Sequence, residues 1–172
     1  MRPNLHILTA CSRPDNLAAV AASVGVAAAS EQWNVCWHVR YDLERQHIGG
    51  QKLKNDMLDQ ITEGWVCFLD DDTLLHPGLL EVVANAAAVS DAVVVSQDRA
   101  DGRHLQACPE NVRIGYIDIG QAVLRRDLIF RHRIPENYEG DGWFLTAVLA
   151  GARVTYVDAV LSHHNLLEQV PA

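Results

Sequence analysis

Three consecutive aspartates follow a short apolar run near the middle of the chain. The run is residues 66–69, and the acids are Asp70, Asp71 and Asp72. Carboxylates placed so close together repel one another, and they are costly beside a buried strand unless a cation offsets their charge. Hard oxygen ligands suit Mg²⁺ or Mn²⁺, which commonly joins a carboxylate to a substrate diphosphate. The cluster therefore predicts a divalent-cation site, and the alternative is a solvated turn whose acids cap the next helix.

An alternation of strand and helix patterns must position this cluster. In the first half of the chain, strand patterns occupy residues 5–10, 33–41, 66–69 and 92–96. The helix patterns between them occupy residues 14–29, 51–62 and 79–89. This order is typical of an α/β fold with a mostly parallel sheet and helices on both faces. Ligands of such sheets bind at the carboxyl ends of the strands, which points to the residues after Leu8, Val39 and Leu69.

The second half of the chain is less regular. A polar, loop-rich stretch over residues 97–115 precedes an apolar run over residues 116–124. A helix is predicted over residues 143–150, where Gly151 ends it, and two short strands are predicted over residues 153–157 and 160–162.

Length and charge narrow the classes of partner. The chain has 172 residues, which predicts one domain over residues 1–172, and it is 49% hydrophobic and 21% charged, as in an ordinary soluble domain. It has 14 Lys and Arg against 22 Asp and Glu, a net charge of −8. Nucleic acid is not expected as a partner, because neutralising its phosphates needs a basic surplus. A small phosphorylated ligand needs only a local positive field or a metal.

Targeting features and cysteine usage indicate a cytoplasmic protein. No window reaches the roughly 18 uninterrupted apolar residues of a membrane span, so no transmembrane segment is predicted. The apolar run near the start is too short for a signal peptide. The cysteines form no CxxC pair and are interpreted as buried free thiols; they are Cys11, Cys36, Cys67 and Cys108.

Four segments in order resemble one enzyme family. The stretch GWVCFLDDDTLLHPGLLE resembles the DXD segment of GT-A-fold glycosyltransferases, especially family 2. LHILTACSRPDNL resembles that family's first strand and nucleotide loop, and IGGQKLKNDMLDQITEG its helix before the DXD strand. EGDGWFLTAVLAGARVTYVDAVLSHHN resembles the late segment with the general base and a metal-binding histidine. The opening and DXD segments are also similar to the β-1,3-glucuronyltransferase-like group.

The resemblance implies a GT-A fold of minimal size, an α/β fold with a Rossmann-like, mostly parallel central sheet. It implies a nucleotide-donor half at about residues 1–95 and an acceptor half at about residues 96–172. The family's usual length exceeds 200 residues, and the shortening falls between Ser96 and Glu139. A short acceptor half predicts an open, shallow site, or one that a second subunit completes in a homo-oligomer.

The same resemblance implies a metal site. The first Asp of the motif, Asp70, contacts the ribose or the metal, and the last, Asp72, ligates Mn²⁺ or Mg²⁺ on the donor diphosphate. The late histidine corresponds to His163 or His164, and His163 is favoured because His163-His164-Asn165 resembles an H-x-N ending. Lewis-acid stabilisation of a departing nucleoside diphosphate is the chemistry implied.

The general base and the nucleotide contacts are also implied by the resemblance. In inverting members a carboxylate deprotonates the acceptor hydroxyl, and here Asp141 is the first choice and Glu139 the alternative. The family has adjacent Glu-Asp, whereas Gly140 separates the two acids in this chain. The rival interpretation is that Asp141 is only an acid at a helix N-terminus, where the helix dipole favours negative charge. The implied nucleotide-binding residues are Thr9, Cys11, Ser12, Arg13, Asp42, Lys54, Asn55, Asp70 and Asp71.

The implied function is a metal-dependent glycosyltransferase. It would move a sugar from a nucleoside-diphosphate sugar, with UDP-sugar favoured, to an unidentified hydroxyl acceptor, with inversion. One alternative is a haloacid-dehalogenase-type phosphatase that uses Asp70 and Asp72, although Thr73 follows Asp70 by three positions instead of the usual four. Another is a non-catalytic nucleotide-sugar-binding homologue, because a fold does not guarantee activity.

Overall fold

One mixed sheet organises the chain. The computed structural model describes residues 2–29, 31–45 and 47–169. Its strands are β1 (Asn4–Cys11), β2 (Asn34–Tyr41), β3 (Trp65–Phe68), β4 (Leu74–Leu75), β5 (Ala92–Arg99), β6 (His104–Leu105), β7 (Ala122–Arg125) and β8 (Val154–His164). Its α-helices are α1 (Leu17–Ala28), α2 (Gln51–Leu58), α3 (Leu79–Ala86) and α4 (Gly140–Leu149).

The strands lie in the order β2-β1-β3-β7-β5-β8-β4, and β6 pairs with β5 beside this path. The longer ladders, β1 with β2 and β5 with β8, are parallel, as is β1 with β3. β7 runs antiparallel between β3 and β5. The expected mostly parallel α/β sheet is therefore confirmed. Because β1, β2 and β3 are parallel neighbours, their carboxyl ends meet at one edge of the sheet.

Helices cover both faces of the sheet, as expected. The side chains of β1 alternate between the faces, so Leu5 and Ile7 join one core and Leu8 the other. α1 and α3 pack on the first face, where Val20 and Val83 are fully buried. On the opposite face α2 and α4 pack against the sheet, through residues that include Leu58, Phe144, Leu145 and Val148. The two cores hold β1 and β3 in fixed positions.

Several element bounds differ from the sequence-based expectation. The helix expected over residues 51–62 ends at Leu58, and the helix expected to begin at residue 143 begins at Gly140. The two short strands expected near the end are one strand, β8, with a bulge. Val95 pairs with Val157 but Ser96 pairs with Val160, so Asp158 and the residue after it are looped out and exposed. The bulge explains the gap in the apolar pattern.

Two further expectations concern the membrane and the thiols. In the part of the chain that the structure describes, every helix is too short or too polar to cross a lipid bilayer. All four cysteines are free thiols; Cys11 and Cys67 are buried, whereas Cys36 and Cys108 are half-buried.

Candidate active site

A cavity of about 670 Å³ opens at the carboxyl ends of β1, β2 and β3. The loops after these strands supply most of its wall, and the end of β8 closes one side. This is the location that the strand-end rule predicts. Its lining includes Ser12, Arg13, Asp42, Arg45, Asp70, Asp71, Asp72 and His164.

Asp71 holds the loop after β1 in shape. One carboxylate oxygen, Oδ2, accepts hydrogen bonds from the backbone N–H groups of Ser12 at 2.6 Å and Arg13 at 2.7 Å. The other oxygen lies 3.1 Å from Arg13 Nε. Asp71 is only 2% exposed. The structure thus gives Asp71 a loop-positioning role, and its contact with a nucleotide stays a prediction.

Asp70 is paired with a buried lysine. Lys54 Nζ lies 2.7 Å from Asp70 Oδ1, and the lysine side chain is 2% exposed. Burial alone would raise the pKa of Asp70, but Lys54 and then His164 outweigh it and hold the pKa below its usual value. Asp70 is therefore an anion in the cavity wall, and its second oxygen, Oδ2, faces His164 Nδ1 at 4.0 Å.

Asp72 lies beside Arg13, Thr73 and His164. Arg13 Nη1 is 2.7 Å from Asp72 Oδ2, and the Thr73 hydroxyl donates to Asp72 Oδ1 at 3.2 Å. The same hydroxyl lies 3.4 Å from His164 Nδ1. Burial and then the neighbouring charge of Asp70 raise the pKa of Asp72. A second cation in this site would favour the charged form.

The structure brings His164, and not His163, to the aspartates. Successive residues of a strand point to opposite faces, so only one of the pair faces the cavity. The ring of His163 lies instead 6.2 Å from the ring of His76. The preference for His163 drawn from the H-x-N ending is thus replaced by His164.

The donor set fits a divalent cation. Asp70, Asp72 and His164 each offer one ligand atom, and these atoms lie within 4.8 Å of one another. Two carboxylates and one imidazole suit Mn²⁺ well, and Mg²⁺ takes the carboxylates. Each aspartate engages a protein cation through one oxygen and keeps the other on the side of His164. The cluster therefore has the ligand chemistry that the sequence predicts.

Asp141 is a carboxyl group with an unusual environment. Its Oδ1 is buried and has no hydrogen-bond partner among the residues that the structure describes. Burial raises the pKa of Asp141 to about 6; Lys54 lowers it, and Asp118 and Asp70 raise it further. Such a group exchanges a proton near neutral pH, as a general base must. Glu139, the alternative base, is exposed and precedes α4.

Close packing explains why glycines flank Asp141. A Cβ on Gly140 would overlap the carbonyl oxygen of Pro135 and would press on the Gln51 side chain. A Cβ on Gly142 would lie 2.8 Å from the Cα of Ile114. The separation of the two acids by Gly140 therefore follows from the tight entry into α4.

The turn after β2 supplies another part of the cavity wall. Asp42 Oδ2 accepts a hydrogen bond from the backbone N–H of His47 at 3.0 Å. Arg45 has a φ of 52°, which is uncommon for a residue with a side chain. Gly50 has a φ of 65°, and a Cβ there would overlap that of Ala10. Asp42 lines the cavity, and its contact with a nucleotide base stays a prediction.

Four predicted nucleotide contacts do not line this cavity, and one of them is Lys54, which pairs with Asp70. Thr9 is fully buried, and its hydroxyl accepts a hydrogen bond from Trp37 Nε1 at 2.9 Å. Cys11 is also fully buried in β1. Asn55 uses both ends of its amide on the backbone of Ile134, at 2.9 and 3.0 Å. Thr9, Cys11 and Asn55 thus have structural contacts within the fold, and their contact with a nucleotide stays a prediction.

A buried polar network was not anticipated from the sequence. Asp118 accepts hydrogen bonds from Gln97 at 3.2 Å and from Arg99 at 3.0 Å. Gln97 also donates to Ser162 Oγ at 3.1 Å. Asp118 and Gln121 form a capping box, a D-x-x-Q signal that could have been read from the sequence. The negative charge of Asp118 raises the pKa of both Lys54 and Asp141.

Comparisons with known proteins support the fold. No family model and no curated protein matches the sequence. The structure of S. aureus TarS 1–349 with UDP-GlcNAc is similar, with a TM-score of 0.69, 15% identity, and coverage of 100% of this chain and 62% of that chain. The UDP complex of TarS 1–349 gives a TM-score of 0.70 at 18% identity, covering 95% of this chain and 60% of that one.

A second similar structure is the catalytic domain of Drosophila β1,4-galactosyltransferase 7 with xylobiose. Its TM-score is 0.59 at 13% identity, and the match covers 91% of this chain and 65% of that chain. These likenesses confirm the GT-A-like fold. The chain spans about 60% of the length of the TarS 1–349 structures that it matches.

Proposed function

We propose that the chain is a metal-dependent glycosyltransferase. It transfers a sugar from a nucleoside-diphosphate sugar, a UDP-sugar in the first instance, to a hydroxyl acceptor with inversion. The observation that carries the proposal is the convergence of Asp70, Asp72 and His164 on a cavity at the strand ends of a GT-A-like fold. The UDP and UDP-GlcNAc complexes of TarS support the choice of donor.

The cavity residues have separate tasks in this proposal. Asp70, Asp72 and His164 hold Mn²⁺ or Mg²⁺, which when bound supplies Lewis-acid stabilisation of the leaving diphosphate. The loop after β1, fixed by Asp71, presents Ser12 and Arg13 to the nucleotide. Asp42, which follows β2, receives the N–H of the base. The cavity volume of about 670 Å³ is in the range of small-molecule sites.

Asp141 acts as the general base. Its carboxylate accepts the proton of the acceptor hydroxyl while that oxygen attacks the anomeric carbon of the donor. The bond from the anomeric carbon to the diphosphate oxygen breaks, and the electron pair leaves with the nucleoside diphosphate. Attack from the face opposite the leaving group inverts the anomeric centre. The proton stays on Asp141, and its pKa of about 6 suits both taking up this proton and releasing it afterwards.

Metal-dependent nucleotide binding tests the proposal. We expect UDP with Mn²⁺ to raise the melting temperature, because a ligand that binds only the folded state stabilises it by mass action. At a hundredfold excess over Kd the gain is about 3 kcal/mol, or roughly 6–10 °C for a domain of this size. Asp72→Ala should abolish the shift, whereas Asp56→Ala, which removes an exposed carboxylate outside the cavity, should retain it. Differential scanning fluorimetry makes the measurement.

Three outcomes would contradict the proposal. If no common nucleoside diphosphate shifts the melting temperature in the presence of metal, the cavity is not a donor site. Release of phosphate from simple phosphoesters without a sugar nucleotide would favour the phosphatase alternative. Binding without any transfer or slow hydrolysis, across a screen of nucleotide sugars, would favour the non-catalytic alternative.

A further inference from the structure

Arg13 lies across two of the three consecutive aspartates. Its Nε is 3.1 Å from Asp71 Oδ1, and its Nη1 is 2.7 Å from Asp72 Oδ2. Both carboxylates are nearly fully buried, at 3% side-chain exposure. The guanidinium therefore compensates charge that a divalent cation at Asp72 would otherwise compensate.

Lys54 and Arg13 differ in their freedom to move. Lys54 is 2% exposed and is enclosed behind Asp70, so its ammonium group stays in place whether or not a ligand is present. Arg13 has 31% of its side chain exposed and lines the cavity. Its contact with Asp71 can persist while Nη1 leaves Asp72, because the two contacts use different ends of the guanidinium. Arg13 is the cation that can change partner.

The cation and Arg13 compete for the charge of Asp72. A divalent ion at Asp70, Asp72 and His164 would lie a few ångströms from the guanidinium, and like charges at such distances repel strongly in a partly buried site. A guanidinium released from Asp72 faces the cavity, where a diphosphate offers the oxygen pairs that its planar fork binds best. Metal binding therefore frees the group that a diphosphate needs.

We propose that Arg13 is an exchange residue of the donor site. It neutralises Asp72 in the empty cavity, yields that carboxylate to the divalent cation, and then binds the donor diphosphate. The exchange makes metal and diphosphate binding cooperative, because each ligand favours the same position of Arg13. This inference rests on the proposed function, and it adds that the cavity binds metal weakly until a diphosphate arrives.

Binding of each ligand alone and of both together tests the exchange. The probes are Mn²⁺ alone, UDP alone, and each with the other at saturation, measured by isothermal titration calorimetry and by the electron paramagnetic resonance of free Mn²⁺. In Arg13→Gln we expect Mn²⁺ alone to bind about tenfold tighter, the order expected when one nearby like charge is removed. UDP at saturating Mn²⁺ should bind about tenfold more weakly, since one charge-assisted contact is lost. The cooperativity between the two ligands should fall accordingly.

Arg45→Gln is the matched control. Arg45 lines the same cavity from the turn after β2 and carries the same charge. Its loss should leave the affinity for Mn²⁺ alone within about threefold of wild type, because, of these two arginines, Arg13 is the one that the ion pairs of the described residues join to Asp72. Arg13→Lys, which keeps a charge without the fork, should tighten Mn²⁺ binding less than Arg13→Gln. It also serves as the test variant if Arg13→Gln does not fold.

The outcomes separate the two proposals. Unchanged affinity for Mn²⁺ alone in both Arg13 variants, with wild-type UDP binding intact, would overturn the exchange and leave the proposed function standing. If Arg13→Gln and Arg45→Gln raise the affinity for Mn²⁺ alone equally, the effect comes from overall charge, and the proposed exchange is overturned as well. A wild-type chain that binds Mn²⁺ but no nucleoside diphosphate would overturn both.

Discussion

Asp141 combines a catalytic proposal with a cost in stability. Its pKa is raised to about 6 in the folded chain, chiefly by burial, against an ordinary value of 3.8. The unfolded chain therefore loses this proton at lower pH than the folded chain does, and stability falls as pH rises from about 4 to 6. Above pH 6 the folded state carries a poorly solvated anion. The group that suits proton transfer thus weakens the fold at neutral pH.

We expect Asp141→Asn to stabilise the metal-free chain while removing transfer. At pH 8 the gain should be about 1–3 kcal/mol, since each pKa unit corresponds to about 1.4 kcal/mol. Below about pH 3 the gain should vanish, because the wild-type carboxyl group is then protonated in both states. Chemical denaturation at the two pH values measures the gain, and UDP binding should be retained.

Substitution of Glu139 tests whether Asp141 or Glu139 is the base. Glu139→Gln changes the exposed alternative acid and should alter neither stability nor turnover appreciably. If Glu139→Gln removes turnover and Asp141→Asn does not, the base is Glu139. If neither removes turnover, the base lies elsewhere.

The sequence indicated which kinds of residue form the site, but it did not indicate the contacts that each residue makes. The aspartates after an apolar strand point to a cation site, and Asp70 and Asp72 indeed converge with a histidine. The choice between adjacent histidines depends on the exact register of β8, which its bulge shifts, so spacing along the chain could not decide it. Asn55 matched a family pattern, yet both ends of its amide bind the backbone of Ile134.

At the scale of elements, the tight entry of α4 positions Asp141. Gly140 is the first residue of α4, and it packs directly against the Pro135 carbonyl and the Gln51 side chain. The helix therefore starts where only a glycine fits. Sequence periodicity placed the start at residue 143, because glycines and an acid carry no apolar signal.

Gly140→Ala should lower both stability and turnover. The added methyl group overlaps backbone that cannot give way cheaply, and such overpacking costs about 1–3 kcal/mol. The melting temperature should fall by roughly 2–10 °C, and displacement of Asp141 should reduce kcat more than it raises KM. Calorimetry and steady-state kinetics measure these effects.

Gly25→Ala is the matched control for that substitution. Gly25 lies on the exposed side of α1, and outside its chain neighbours and the adjacent helix backbone no described atom lies within 4 Å of an added Cβ. Alanine should stabilise α1 by up to about 1 kcal/mol through its better helix propensity. A Gly140→Ala variant as stable and active as Gly25→Ala would show that the start of α4 accommodates a methyl group and that its close packing does not position Asp141.

At the scale of the whole molecule, the α/β class and the two helical layers follow from patterns that recur along the chain. The short apolar runs in β1 and β5 reflect burial on both faces of the sheet, so these two strands were visible locally. The antiparallel insertion of β7 was not visible, because it depends on pairing with β3 and β5 far along the chain. The network around Asp118 was missed for the same reason, since it joins the capping box of Asp118 and Gln121 to Gln97 of β5 and Ser162 of β8.

Acid stability of the whole molecule should depend on a histidine pair at the edge of the sheet. His6 Nδ1 lies 3.0 Å from His38 Nε2, joining β1 to β2. Burial lowers the pKa of both; His38 lowers that of His6 further while Glu63 raises it, and Arg40 lowers that of His38. The unfolded chain takes up these protons first, so the pair's contribution to stability is lost as pH falls through 6.5. Asp141 acts in the opposite direction, so the comparison must be made between two proteins that both contain Asp141.

His38→Gln should flatten the loss of unfolding free energy between pH 7.5 and 5.5 relative to wild type in denaturation series. An identical slope in both proteins would contradict the prediction.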